Sequence, residues 1–158
     1  FLPITSFMMA LTTFVSQNRG AKEYKRARKG AHFGLVCSVS LAETIGLLIA
    51  LFATPLMRLF VDDPKVIQYG VERAHYATIL FFLLAYSHGV SAVLRGVGKS
   101  VIPMVVMLVC WCLVRVTLLT MLNMLFHNIL FVYLIYPFTW SLSSIVFFLY
   151  YRKINWQE

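Results

Sequence analysis

The sequence predicts an all-α fold, a polytopic bundle of membrane-spanning helices, and three observations support this prediction. The chain of 158 residues is 60% hydrophobic but only 13% charged, whereas soluble domains are about half apolar and about a quarter charged. Its mean hydropathy is +0.79, so a soluble fold would have too few polar side chains to cover its surface. Several apolar runs also reach the roughly 20 residues that a helix needs to cross a bilayer.

The apolar runs and the polar segments between them predict one partial and four full transmembrane helices in a single domain, 1–158. The helices are expected at about residues 1–15, 31–60, 65–94, 101–126 and 129–151. Because the chain opens inside an apolar run, we expect the first helix to be the end of a longer one, cut out of a larger protein. Asp63 before Pro64 is typical of a helix N-terminus.

Basic residues divide the polar segments into two groups if consecutive helices alternate sides. The segment 16–30, the turn 95–100 and the C-terminus share one side, with Arg19, Lys22, Lys25, Arg26, Arg28, Lys29, Arg95, Lys99, Arg152 and Lys153. The opposite turns have only Arg58 and Lys65, with Arg73 as a third if it is counted. Because positive residues stay cytoplasmic, we expect a cytoplasmic C-terminus, with Phe1 entering a plasma (inner) membrane from outside.

Composition also limits the partners. The net charge of +8 would suggest nucleic acid in a soluble protein, but here the charges lie between apolar runs, so we expect membrane lipid and no nucleic acid. Cys110 and Cys112 lack the two-residue spacer of common zinc sites, so no metal site is predicted. We find no nucleophile–base set and no nucleotide loop, so we predict neither an enzyme nor a cofactor.

Two charged residues lie deep within predicted membrane helices. Glu43 is about 18 Å along a helix from Ala31, and Arg115 is about 21 Å along one from Val101. A carboxylate at such a depth costs at least ~2.5 kcal/mol on insertion scales. Glu43 is therefore either a cation, proton or substrate site, or a structural partner of a polar neighbour. Similar depths suggest a Glu43–Arg115 pair, and Trp111, one turn earlier, could stack on the guanidinium.

Polar residues also interrupt the third predicted helix, at about residues 65–94. Tyr86 and His88 are further candidates for a coupling site or a substrate cavity. A membrane histidine can carry protons, but it is more often a hydrogen-bonded structural residue, so both interpretations stay open for His88.

Three segments carry motifs in a consistent order. Residues 13–21 read T-x-x-x-Q-x-x-G-A, residues 59–66 read LFVDDPKV, and residues 94–104 read L-R-G-x-G-x-x-x-x-P-M before a W-x-x-x-R. Together they resemble the C-terminal half of the multidrug and toxic compound extrusion (MATE) transporters. The resemblance implies structural roles for the matching motif residues Gln17, Gly20, Arg95, Gly96, Gly98, Pro103 and Trp111.

The resemblance implies a MATE-type C-terminal lobe whose N-terminal lobe is missing from this sequence. It implies export of drugs or toxic organic cations by antiport with protons or sodium ions, the coupling ion being unresolved. Some members carry an acidic residue eleven positions before the arginine of L-R-G, and Leu84 occupies that position here. Their cation site is therefore not transferred to this chain, and Glu43 cannot be assumed to replace it.

Two other functions remain open at this point. One is a lipid-linked oligosaccharide flippase of the same superfamily. The other is an inert truncated membrane fragment, because half a bundle lacks the second lobe that would close a cavity.

Overall fold

The computed structural model describes residues 2–126 and 129–157, and all regular structure in these ranges is helical. The helices are α1 (Leu2–Gly20), α2 (Tyr24–Leu51), α3 (Ala53–Arg58), α4 (Pro64–Thr78), α5 (Phe81–Gly96), α6 (Val101–Met107), α7 (Arg115–Phe126) and α8 (Ile129–Arg152). A π-helical segment, Leu108–Val114, joins α6 to α7. Predictions that fall on Phe1, on residues 127 and 128 and on Glu158 lie outside the described residues.

Among the described residues, three stretches are long and apolar enough to cross a membrane by themselves. They are α2, the continuous unit from α6 through the π segment to α7, and α8. α4 and α5 add a fourth span if they are counted together, although they meet at an angle of 56°. The predicted all-α polytopic membrane bundle is therefore confirmed.

Several helix bounds differ from the predicted ones. α1 continues to Gly20 and α2 already begins at Tyr24, so the polar loop expected at 16–30 is only a short turn, with Lys22 at a φ of 60°. Lysine and arginine are good helix formers, which explains why a basic segment remains helical. α2 has 28 residues, or about 42 Å at 1.5 Å per residue. Its basic first turns therefore extend beyond the roughly 30 Å hydrocarbon layer.

Two predicted continuous helices are divided. The run expected at 31–60 is interrupted at Phe52, where α2 gives way to the short α3, and the run expected at 65–94 is interrupted between Thr78 and Phe81. The predicted N-cap is confirmed, because the Asp63 carboxylate accepts a hydrogen bond from the backbone N–H of Lys65 at 2.8 Å. Neither interruption contains a glycine or proline, which is why the apolar pattern did not predict it.

α5 lies at the centre of the bundle and packs against α1, α2 and α8. Its closest approach is to α1 at Gly96, where a Cβ would lie only 2.9 Å from the carbonyl oxygen of Thr12 and 2.8 Å from the Cβ of Val15. The Thr12 hydroxyl also donates to the carbonyl oxygen of Ala92 at 3.1 Å. On another face, α5 meets α8, where Ser87 contacts Ser143 and Ser144.

Candidate functional site

The break between α4 and α5 is capped by a carboxylate from another helix. The first backbone N–H groups of any helix lack partners within it, and those of α5 would be exposed at the interruption of a membrane span. Oε1 of Glu43, on α2, accepts a hydrogen bond from the backbone N–H of Phe82 at 2.8 Å. A negative charge at this position also interacts favourably with the helix dipole. Glu43 thus connects α2 to the start of α5.

Gly46 allows α2 to lie close to this break. It is buried, one turn after Glu43, and a Cβ built on it would lie 3.6 Å from the Cβ atoms of both Thr78 and Phe81. These two residues end α4 and begin α5. A methyl group here would make ordinary van der Waals contact with both helix ends, so only a side chain larger than alanine would have to displace one of them.

The predicted pair between Glu43 and Arg115 is wrong. Glu43 hydrogen-bonds the backbone of Phe82, whereas Arg115 hydrogen-bonds the side chain of Thr139. Similar depth in the bilayer does not make two residues neighbours, because the direction in which each helix presents its side chain is set by packing. The two charged residues therefore belong to different local environments of the bundle.

Arg115 has one hydroxyl partner and two aromatic partners. Its Nε and Nη2 atoms donate to Oγ1 of Thr139 at 3.1 and 2.7 Å. Its guanidinium carbon lies 5.1 Å from the ring centre of Trp111 and 4.6 Å from that of Tyr136. The predicted stacking on Trp111 is confirmed. A guanidinium has five N–H donors, and these two hydrogen bonds use only two of them.

A second arginine approaches the same tyrosine. The guanidinium carbon of Arg73, on α4, lies 5.1 Å from the ring centre of Tyr136. Both arginines line a cavity of about 240 Å³, whose wall consists of Arg73, Ala77, Leu84, Trp111, Arg115, Tyr133, Tyr136 and Trp140. This wall contains no carboxylate in the part of the chain that the structure describes. We call this cavity the arginine pocket. It includes Leu84, the position at which the resemblance would place an acidic residue.

A cluster of buried serines adjoins this pocket. Ser87 Oγ lies 3.0 Å from Ser143 Oγ and 2.9 Å from Ser144 Oγ, and the indole N–H of Trp111 donates to Ser143 at 3.2 Å. The Ser144 hydroxyl also donates to the carbonyl oxygen of Leu83. We call this the serine cluster. Sequence reasoning missed it, although three serines within four residues of the largely apolar α8 are a signal that could have revealed it.

His88 and Tyr86 do not line the arginine pocket, but His88 packs against Trp111, one of the residues of its wall. The His88 ring meets the Trp111 ring edge-on, with centroids 5.1 Å apart, and it lines a separate cavity with Thr12 and Arg95. Tyr86 is half-buried against the hydrophobic core. The four candidate residues are therefore not gathered in one site, and their predicted transport roles stay predictions.

The π segment was also missed by sequence reasoning. It runs from Leu108 to Val114, directly before Arg115, and therefore contains Trp111. π-Helical turns inside α-helices are rare and occur frequently at functional sites. The segment sets the register at which Trp111 reaches the serine cluster while Arg115 reaches Thr139.

The family-motif residues mostly surround one short turn. The Arg19 side chain donates to the carbonyl oxygen of Val97, which ties α1 to the turn after α5. Gly98 in that turn has a φ of 82°, a left-handed conformation that favours glycine. Pro103, in the first turn of α6, is buried. Of the other motif residues, Gly96 is buried and Trp111 is half-buried, whereas Gln17, Gly20 and Arg95 are exposed.

The fold and the site together define a polytopic α-helical membrane protein with a broken span and ionisable residues at membrane depth. The MatE family model matches residues 1–122, and the chain belongs to this family.

Two curated relatives agree with the family assignment. Both are described as "Probable multidrug resistance protein NorM". The protein from Thermotoga maritima is 28% identical over 106 residues, which is 67% of this chain and 23% of the relative. The protein from Chromobacterium violaceum is 28% identical over 101 residues, which is 64% of this chain and 22% of the relative. The matched part of the chain therefore spans less than a quarter of the length of these relatives.

Proposed function

We propose that the chain is part of an efflux transporter that exports drugs or toxic organic cations by antiport with protons or sodium ions. The membership of the MatE family and the names of the two relatives support this proposal. The complete transporter would include an N-terminal lobe as a partner, lie in the plasma (inner) membrane and keep its C-terminus in the cytoplasm, as the basic residues suggest. Such transport involves no covalent step, so the chain would not be an enzyme.

The observation that carries this proposal is the carboxylate cap at the break between α4 and α5. Discontinuous membrane helices often form the sites of coupling ions in transporters, since their free ends present unpaired backbone groups. Glu43 is ionisable, is only partly exposed, and holds the first turn of α5 through Phe82. Binding of a proton would neutralise the carboxylate and weaken this contact. Sodium would compete with the N–H for the same oxygen atoms. Either ion would loosen α5 from α2.

Loosening this contact would act on the rest of the site through a row of aromatic rings. Phe81, next to the capped residue, packs edge-on against Trp140, with the ring centroids 6.2 Å apart. Trp140 in turn packs edge-on against Tyr136, with the centroids 6.4 Å apart. Tyr136 in turn contacts Arg115. We propose that a change of charge at Glu43 repositions these rings and so changes the shape of the cavity that the substrate enters.

The test is efflux by the full-length protein in proteoliposomes, with ethidium as the cationic dye and with a proton or a sodium gradient imposed separately. We expect one of the two gradients to drive efflux. The rate of efflux driven by that gradient should be at least tenfold lower in the Glu43→Gln variant than in the wild type. Glutamine keeps a carbonyl acceptor for Phe82 but cannot be neutralised by a proton. The matched control is Asp62→Asn, which removes a carboxylate from an exposed turn and should leave the rate unchanged.

Two results would contradict the assignment of Glu43. If the Glu43→Gln variant keeps the full gradient dependence, the coupling residue lies elsewhere. If Asp62→Asn loses as much activity as Glu43→Gln, the effect reflects the loss of negative charge in general. Efflux that ignores both gradients would count against antiport itself.

A second candidate function, a flippase for lipid-linked oligosaccharides, is favoured by the arginine pocket. Arg73 and Arg115 line a cavity without a carboxylate among the described residues, and such a cavity suits an anionic group better than an organic cation. Guanidinium groups bind phosphate oxygens in a fork geometry. Reconstituted protein that moves a fluorescent pyrophosphate-linked lipid between leaflets, but exports no ethidium, would support the flippase. The opposite pattern would support the drug exporter.

A further inference from the structure

Another cavity lies where α2 begins and α8 ends. It has a volume of about 690 Å³ and is lined by residues of both helices, with Tyr151 as the contribution of α8. Lys25, Arg28 and Lys29 line it from α2. This wall carries no carboxylate in the described part of the chain. Three basic side chains therefore face one concave surface, which we call the basic cleft.

The lining residues of α2 form one helix face that changes in character along its length. This face begins with four basic or polar residues, Lys25, Arg28, Lys29 and His32, and continues with Phe33 and Val36. Their spacing of three or four residues keeps all six on the same side of the helix. The stretch is about 16 Å long at 1.5 Å per residue. Basic groups therefore occupy its outer end, and apolar groups occupy the end closer to the membrane interior.

The apolar end is open. Phe33 is 70% exposed and Val36 is 53% exposed, so neither side chain is covered by the bundle. Tyr151 packs edge-on against Trp156, with the ring centroids 6.3 Å apart. Tyrosine and tryptophan are amphipathic and concentrate at the boundary between headgroups and hydrocarbon. The cleft thus lies at the membrane surface, with charges at headgroup level and exposed apolar side chains at acyl-chain level.

We infer that the basic cleft binds an anionic phospholipid, with its phosphate among Lys25, Arg28 and Lys29 and an acyl chain along Phe33 and Val36. Basic pockets between membrane helices bind anionic headgroups in this way. The adjoining apolar face favours a lipid over free phosphate, because a free ion would leave it uncovered. The inference is independent of the proposed transport function.

The experiment measures lipid binding to the full-length protein by native mass spectrometry after release from detergent. The probes are palmitoyl-oleoyl phosphatidylglycerol, the matching phosphatidylcholine, and inorganic phosphate as a competitor. We expect phosphatidylglycerol to bind preferentially and phosphate to compete weakly. The double variant Arg28→Gln/Lys29→Gln should bind phosphatidylglycerol roughly 25-fold more weakly, at about fivefold for each basic residue removed.

The control variant Arg26→Gln/Lys153→Gln removes the same charge at exposed residues outside the cleft and should change the affinity less than threefold. Phe33→Ser, which keeps every charge, should also weaken the binding of phosphatidylglycerol. All substituted side chains are exposed, so circular dichroism should show unchanged helix content. The inference is overturned if the control loses as much affinity as the cleft variant, if phosphate displaces the lipid at equal concentration, or if Phe33→Ser binds like the wild type.

Discussion

The contact between α1 and α5 at Gly96 makes a quantitative prediction about stability. In the Gly96→Ala variant, the new Cβ would lie 2.9 Å from the Thr12 carbonyl oxygen and 2.8 Å from the Val15 Cβ. The oxygen belongs to the backbone, so a helix must move, and overpacking of this kind costs about 1–3 kcal/mol. We expect Gly96→Ala to lower the free energy of unfolding by this amount.

Two other glycines serve as matched controls. Gly89 lies within the same helix, but there the new Cβ would meet Cδ2 of Leu35 at 2.6 Å, the end of a flexible side chain that can rotate away. Because alanine also gains up to ~1 kcal/mol over glycine inside a helix, Gly89→Ala should be nearly neutral. Gly20 ends α1 as Gly96 ends α5, but a Cβ added to it would meet no other atom within 4 Å. Gly20→Ala should therefore be neutral or slightly stabilising.

The assay is unfolding in bicelles by titration with sodium dodecyl sulfate, followed by far-ultraviolet circular dichroism. The free energy of unfolding of Gly96→Ala should be at least ~1 kcal/mol lower than that of either control, because of the cost of overpacking. If Gly96→Ala is as stable as Gly89→Ala, the α1–α5 contact is looser than the structure shows and the reasoning fails.

Three further predictions concern caps and the arginine pocket, each measured by the same unfolding titration. Asp63→Ala, which removes the acceptor for the Lys65 N–H, should cost about 0.5–2 kcal/mol, and Asp63→Asn should recover most of it. Thr139→Val should lower the free energy of unfolding by about 1.5–3 kcal/mol, because it removes the hydroxyl that accepts hydrogen bonds from Arg115. Thr139→Ser keeps this hydroxyl and should be close to wild type. Trp111→Phe keeps a ring beside Arg115 but loses the hydrogen bond from the indole N–H to the serine cluster. It should therefore lower the free energy of unfolding by about 1 kcal/mol. A variant as stable as the wild type would show that this hydrogen bond contributes nothing.

Much of the fold could be predicted from the sequence because the bilayer imposes strict requirements on it. Apolar length selects helices that can span, and the structure places three such helices and one broken pair where apolar runs occur. The cap at Asp63 is local chemistry between neighbouring residues. Trp111 and Arg115 are four residues apart, so their contact needed no knowledge of the tertiary structure.

The candidate site was predicted only in part, because its contacts cross between helices. Glu43 and Arg115 were recognised as charges at membrane depth, but their partners, Phe82 and Thr139, are 39 and 24 positions away in the sequence. Which side of a helix faces which neighbour depends on the rotation of each helix within the bundle. The serine cluster was missed for the same reason, since its serines come from α5 and α8.

Apolar length and local motifs are properties of single segments, so the order of amino acids was enough to establish a membrane protein, roughly where it crosses the bilayer, and which family its motifs resemble. The folded bundle was needed to reveal that the span of α4 and α5 is broken, that Glu43 caps the break, and that the two arginines share one pocket. These features depend on the bundle because an unpaired helix end in a membrane needs an acceptor from elsewhere. Packing between distant segments places that acceptor.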